Sequence, residues 1–337
     1  MAMIIPDRPD LPKNAMACLA DILAQVIEEI GSVPQDVIDT LLVQFLPKSV
    51  KSNPTALALA AEVCKTTSDK LQRYIAHYFT EVITNAVEGE DPEEEATDSE
   101  NEGRSGKGGK RGNHNNNLKP SIADSEDFIT AHELIKSINR FCPSLLTNVI
   151  PQLEEELLSD DQGIRAISTK TLGEMFSDNN NISSAKDASS AINAAGTLLA
   201  HFGGLQPVRS DLAKKYPAAW RSFLGRGRDR LPGIRLLVLE SFRNILPIHP
   251  ELAADMYQVI RAKITDPDEK VRSTACAVFQ GTDYEQALHG FEKAVLLDLA
   301  ERIQDKKVSR PKLIGRIPSS LMLVSFLSAL GQEGSAA

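Results

Sequence analysis

Apolar residues recur along this chain at the spacing of a helix. From Val37 to Phe45 they fall at Val37, Ile38, Leu41, Leu42 and Phe45, one stripe of a 3.6-residue period. Leu57, Ala60, Ala61 and Cys64 repeat the pattern on the next segment. The interval Pro47 to Pro54 reads as a short loop, with Asn53 and Pro54 in cap and first-turn positions of the helix that follows. No convincing period-two stretch appears, and short loops joining amphipathic helices make antiparallel pairs. The expected class is all-α.

A weak internal repeat refines that class. An Asp or Pro turn, a β-branched residue and then Arg open several helices: Asp229 to Arg235, Asp266 to Arg272, a shorter variant from Asp160 to Arg165, and a later one from Asp305 to Arg310. The arginine steps are 37 residues (Arg235 to Arg272) and 38 residues (Arg272 to Arg310). The step from Arg165 to Arg235 is 70 residues, and its excess matches the Ser/Asn/Ala-rich stretch Ser177–Val208, readable as an insertion loop. Periods near 40 with two helices per unit indicate a HEAT-repeat α-solenoid. In this reading Asp caps the second helix of a unit, and Arg six residues on reaches an Asp of the adjacent unit. Each such pair, if exposed, is worth little alone.

Helical repeats are thus expected over 14–87, 126–176 and 209–307. Between the first two the periodicity disappears. The stretch from Glu88 to Gly103 holds nine acids and no base, and a Gly/Lys/Arg run and an Asn tract follow it. Residues 88–125 are therefore expected to be a disordered acidic, then basic, insertion, with helices resuming near Ser125 and Glu126 and Asp127 in the first turn. The acidic stretch accounts for the whole formal charge of −9, so the rest of the chain is neutral.

Several function classes lose support. The run 103–112 lacks the spacing of a phosphate loop, and there is no GxSxG or HExxH. The histidines (His77, His114, His132, His201, His249 and His289) are scattered singly and read as surface or core residues. Cys18, Cys64, Cys142 and Cys276 form no CxxC or Cys/His group, so buried free thiols in a reducing compartment are expected. Met1–Ala20 is no secretory signal, and the apolar run Leu321–Leu330, broken by Ser325 and Ser328, falls short of the ~20 residues of a membrane span. A soluble intracellular protein without enzymatic activity, metal or resident cofactor is expected.

Two features invite a partner. Lys214, Lys215, Arg221, Arg226, Arg228, Arg230 and Arg235 form the densest positive cluster outside the insertion, opposed only by Asp211 and Asp229. It suits an acidic peptide, a polyphosphate or a nucleic-acid backbone, or else a solvated solenoid edge. Tyr216, Trp220 and Phe223 beside it fit helical spacing and read as core. Thr97 and Ser99 each have an acid three residues on (Glu100 and Glu102), a pattern acidophilic kinases favour, so phosphorylation there or a plain acidic spacer is expected. The basic run Arg104–Arg111 reads equally as a nuclear address, a weak nucleic-acid contact or a counterweight to the acids.

Longer stretches carry a resemblance. They are Asp39-Thr-Leu-Leu-Val-Gln-Phe-Leu, Ser68-Asp-Lys-Leu-Gln-Arg-Tyr-Ile-Ala-His-Tyr-Phe, Asn148-Val-Ile-Pro-Gln-Leu-Glu-Glu-Glu-Leu, Thr171-Leu-Gly-Glu-Met-Phe, Trp220-Arg-Ser-Phe-Leu-Gly-Arg and Asp266-Pro-Asp-Glu-Lys-Val-Arg. In this order they resemble the fungal form of the cohesin regulators called precocious dissociation of sisters (the Pds family of sister chromatid cohesion proteins), from about Met16 to Lys307. The resemblance implies part of a longer HEAT-repeat scaffold, nuclear and chromatin-associated, without catalytic activity. It implies binding to the cohesin kleisin subunit and to the cohesin release factor and acetyltransferase, and so regulation of cohesion during the cell cycle. Vertebrate relatives also hold an inositol polyphosphate, whose contacts are carried over to no residue here. Residues 308–337 resemble nothing in that family. Another HEAT-repeat adaptor, such as a nuclear transport receptor, is the alternative.

Overall fold

Proline sets where several of the helices begin. The computed structural model describes residues 13–88, 126–177 and 212–279, which fold into helices and turns with no strand among the described residues. The helices are α1 (Lys13–Glu29), α2 (Gln35–Val43), α3 (Pro47–Ser52), α4 (Pro54–Thr66), α5 (Ser68–Glu88), α6 (Glu126–Phe141), α7 (Ile150–Glu156), α8 (Gln162–Phe176), α9 (Leu212–Lys215), α10 (Pro217–Gly225), α11 (Pro232–Ile245), α12 (Ala253–Ile264) and α13 (Glu269–Ala277). Turns of 3-10 helix lie at Pro143–Leu146, Arg226–Arg228 and Pro250–Leu252. A proline occupies the first turn of α3, α4, α7, α10, α11 and two of the 3-10 turns. Its fixed φ suits that position, and the N–H it lacks has no intrahelical acceptor there.

The stretch read from sequence as a loop, Pro47 to Pro54, is mostly helix α3. Pro47 starts the turn, Val50 N–H donates to the Leu46 carbonyl at 2.9 Å, and the Val50 side chain is buried. Six residues are too few to show a period, so only the burial of Val50 reveals the helix. Asn53 does cap α4 as expected, its Oδ1 accepting from Ala56 N–H at 3.0 Å.

Helices α6, α8, α11 and α13 pack side by side in one row, and α7, α10 and α12 in a second. Each pair α7/α8, α10/α11 and α12/α13 is one hairpin of the repeat, so the HEAT-type solenoid stands. Ahead of it α1 packs on α4, and α5 on α6 and the turn Pro143–Leu146. One apolar cluster runs from Met16 to Phe279 through all of these layers. Two side chains of α5 fasten the end of α1: Lys70 Nζ donates to the carbonyls of Glu28 and Ile30, and Tyr74 Oη accepts from Val33 N–H at 3.2 Å.

Within the first row, α8 and α11 approach closely. A Cβ on Gly173 would stand 2.0 Å from Ser241 Oγ and 2.8 Å from Ser241 Cβ. Cys64, Cys142 and Cys276 are buried, but Cys18 is exposed on α1, which corrects the expectation for one thiol of the four. Burial pushes the Cys64 thiol up to about 12 and Cys142 well above its ordinary value, so neither is a nucleophile. No described helix is long and apolar enough to cross a membrane. The acidic insertion with Thr97 and Ser99, the expected loop 177–208 beyond Ser177 and the tail 308–337 lie outside the described residues.

Candidate functional site

The Asp and Arg residues of the repeat form a buried ladder along one edge of the solenoid. Arg165, near the start of α8, donates through Nε to Asp229 Oδ2 of the next unit at 3.2 Å. Its Nη1 donates to the carbonyls of Ser159 at 2.7 Å and Asp160 at 2.8 Å in its own loop. Arg235 repeats the arrangement one unit on: Nη2 donates to Asp266 Oδ1 at 2.8 Å, and Nη1 to the carbonyls of Asp229 at 2.8 Å and Arg230 at 3.2 Å. Arg272 again donates to the carbonyls of Asp266 and Pro267. The reach to the adjacent unit is as the spacing predicts. The pairs, however, are buried, with the Asp229 and Asp266 side chains only 3% and 1% exposed, so they belong with core interactions and not with weak surface pairs.

The ladder aspartates are not the helix caps. Asp229 Oδ1 accepts from Leu231 N–H at 2.9 Å and Asp266 Oδ1 from Asp268 N–H at 3.0 Å, which fixes the turns. The side-chain caps are Asp161 on α8 and Asp268 on α13, and α11 starts at Pro232 without one.

Burial alone would push the Asp266 carboxyl up. Hydrogen bonds from Arg235, Lys263 and Asp268 N–H outweigh it and hold the group below its ordinary 3.8. A carboxyl lower in the folded than in the unfolded chain adds stability that is complete above the unfolded value and is lost as pH falls through the folded one. Melting temperature is therefore expected to drop as pH falls below 3.8. Asp266→Asn, less stable at neutral pH, is expected to lose less over that window, so the two melting curves converge. A constant gap would reject the linkage.

The structure divides the positive cluster. Arg235 turns inward into the ladder, and Arg226 is half-buried with Nη1 on Asp229 Oδ2 at 3.1 Å. Neither is presented to a partner, because each is consumed in holding a loop. Lys214 and Lys215 sit on α9, with Lys215 over the Tyr216 ring at 5.2 Å. Arg228 and Arg230 lie beyond the other end of α10, about 20 Å away along the helix and turn. Arg221 lies between, two turns from Arg228. Arg221, Arg228 and Arg230 are exposed, and their side chains make no hydrogen bond or ion pair among the described residues. Nearby acids are already engaged: Asp229 by two arginines, Glu154 by Ser222 Oγ at 2.9 Å, and Asp255 by Trp220 Nε1 at 3.0 Å. No carboxylate among the described residues pairs with these three guanidiniums. Trp220 and Phe223 are core, as their spacing predicts.

A buried polar cluster between α6, α7 and α8 escapes sequence reasoning. His132 Nδ1 lies 3.1 Å from Thr171 Oγ1, and its Nε2 lies 3.3 Å from Glu156 Oε2, which also accepts from Ser168 Oγ. The connectivity is wrong for acyl transfer, since the serine bonds the carboxylate and not the imidazole. All four groups are buried, so they tie adjacent helices together. Nearby, Lys136 bridges Glu133 at 2.6 Å and Glu174 at 2.9 Å. Of the other described histidines, His77 is exposed beside Glu81 and His249 is buried against Glu251. No group of three or more His, Cys, Asp or Glu among the described residues could hold a metal ion.

Comparison with known proteins agrees with this architecture. The family model described as sister chromatid cohesion protein PDS5 matches residues 2–310. The chain is 24% identical over 318 residues to sister chromatid cohesion protein pds5 of Schizosaccharomyces pombe, covering 90% of this chain and 21% of that protein. It is 26% identical over 254 residues to human PDS5 homolog B, covering 75% of this chain and 13% of that one. It thus spans about a fifth or less of the curated relatives' length. Among solved structures, a chain from the study of the Pds5–Scc1 complex and its implications for cohesin function has a similar fold, with a TM-score of 0.64 at 18% identity, covering 91% of this chain and 39% of that one. With a model match across most of its length and a ladder-bound helical solenoid beneath it, the chain belongs to the PDS5 family of sister chromatid cohesion proteins.

Proposed function

We propose that this chain is a segment of a cohesin-associated scaffold that binds the kleisin subunit of the ring and regulates sister chromatid cohesion, on chromatin in the nucleus. It acts by presenting surface and charge and not by catalysis. The observation that carries the proposal is the pairing of a match across residues 2–310 with an edge whose buried ladder fixes the loops bearing Arg228 and Arg230. The fold shared with a chain from the study of the Pds5–Scc1 complex supports kleisin as the partner. The release factor and the acetyltransferase are further partners we take from the resemblance. Exposed guanidinium forks on a rigid edge suit carboxylate recognition.

The full chain used as bait in nuclear extract is expected to recover the kleisin with its ring partners. The triple change Arg221→Glu, Arg228→Glu and Arg230→Glu is expected to weaken kleisin binding by about tenfold or more in calorimetry, without loss of helical circular dichroism. Arg226 and Arg235 are left intact, because reversing either would break the ladder. A folded wild-type chain that recovers no cohesin subunit overturns the proposal. Recovery of a GTPase with transport cargo would replace it with a transport adaptor.

A further inference from the structure

The exposed arginines stand against the nine-acid stretch Glu88–Gly103, of which the four bases of the following run Arg104–Arg111 offset fewer than half. We propose that the acidic segment 88–102 docks on the edge formed by Arg221, Arg228 and Arg230, within the same molecule, so that this chain carries its own competitor for acidic partners.

Charge and reach both favour this occupant. Arg221, Arg228 and Arg230 have no ion-pair partner among the described residues, and Asp229 beside them is held by Arg165 and Arg226. The acidic segment begins at the end of α5. From there α5 packs on α6, α6 on α8 and α8 on α11, whose first turn follows Arg230. Three such steps of about 8–10 Å sum to roughly 30 Å. Adding the ~20 Å length of α11 along the other axis keeps the distance below about 40 Å. The fourteen steps from Glu88 to Glu102 extend to about 45 Å and the twelve to Glu100 to about 40 Å, so Glu100 and Glu102 reach the arginines without any helix moving. A tethered segment also competes at an effective concentration in the millimolar range, which favours it over a free acidic peptide of equal affinity. Thr97 and Ser99 immediately precede the part that reaches, and phosphates there would each add about −1.5 to −2 charge beside the same contact. Nothing in this contact requires the kleisin, and its test contains none.

The test uses the full chain and a fluorescein-labelled peptide of residues 88–103. In one variant the segment's own acids are neutralised (Glu93, Glu94, Glu95, Glu100 and Glu102 each →Gln, Asp98→Asn). At about 50 mM salt, anisotropy is expected to show the peptide binding this variant about tenfold more tightly than wild type, whose edge is already occupied. Adding Arg228→Glu and Arg230→Glu to the neutralised chain is expected to remove that binding, and Arg228→Lys with Arg230→Lys to retain part of it. These side chains are exposed and unbonded, so helical circular dichroism is expected to stay unchanged. A peptide phosphorylated at Thr97 and Ser99 is expected to bind more tightly than the plain one. Equal binding to wild type and neutralised chain overturns the internal contact. Binding that survives charge reversal, or that phosphorylation fails to strengthen, overturns the arginine edge as its site.

Discussion

Replacing Asp229 by alanine is expected to lower stability by about 3–5 kcal/mol, the range for breaking one side of a buried ion pair. This carboxylate accepts from Arg165 Nε, Arg226 Nη1 and Leu231 N–H, so its loss strands a buried guanidinium and frees a turn at once. The double change Arg165→Met with Asp229→Leu removes both charges and is expected to cost less than Asp229→Ala alone, because no buried charge remains unpaired. Arg228→Ala, on the same loop but solvated, is expected to change stability by less than about 0.5 kcal/mol. Denaturant midpoints followed by the single tryptophan, Trp220, measure all of these. A loss under about 1 kcal/mol for Asp229→Ala would show that the ladder does not hold the repeats together.

Gly173→Ala is expected to destabilise by about 2–3 kcal/mol. The sign is informative, since alanine in place of glycine inside a helix ordinarily stabilises by about 0.5–1 kcal/mol. Here the added methyl meets Ser241 Oγ at 2.0 Å, which rotation relieves, and Ser241 Cβ at 2.8 Å, which rotation does not. Helices α8 and α11 must then move apart along their whole contact. Ser241→Gly in the same chain is expected to recover most of the loss, so the two changes couple strongly and do not add. Additive effects in the same denaturation assay would show that Gly173 and Ser241 do not set the approach of α8 to α11.

Sequence carried the repeat because the ladder requires Asp and Arg at fixed offsets, and that geometry survives where most other positions drift. It misplaced the caps because Asp160 and Asp161, or Asp266 and Asp268, are equivalent in a string, and only the backbone shows which one faces an N–H. It overstated the positive cluster because proximity along a chain ignores direction: Arg235 and Arg226 point into the ladder, while Lys214 and Arg228 stand at opposite ends of α10. Gly173 appeared among the residues of the resemblance with no physical role attached, since a close approach between helices about 70 positions apart leaves no local pattern. The same holds for His132 and Glu156, which neighbour each other only after α6, α7 and α8 have packed.

The ladder also sets how this solenoid can flex. Each arginine ties the carbonyls of its own loop to the carboxylate of the next, so the spacing of successive loops along that edge is nearly inextensible. The opposite edge, where the turn Pro250–Leu252 is held by His249 against the solvent-facing carboxylate of Glu251, has no comparable chain of buried links among the described residues. A load that changes the superhelical curvature will therefore strain the far edge and leave the ladder edge as the neutral axis. Ligands reading Arg228 and Arg230 meet a constant spacing whatever the curvature, whereas any contact spanning Lys214 and the next repeat works as a gauge of it.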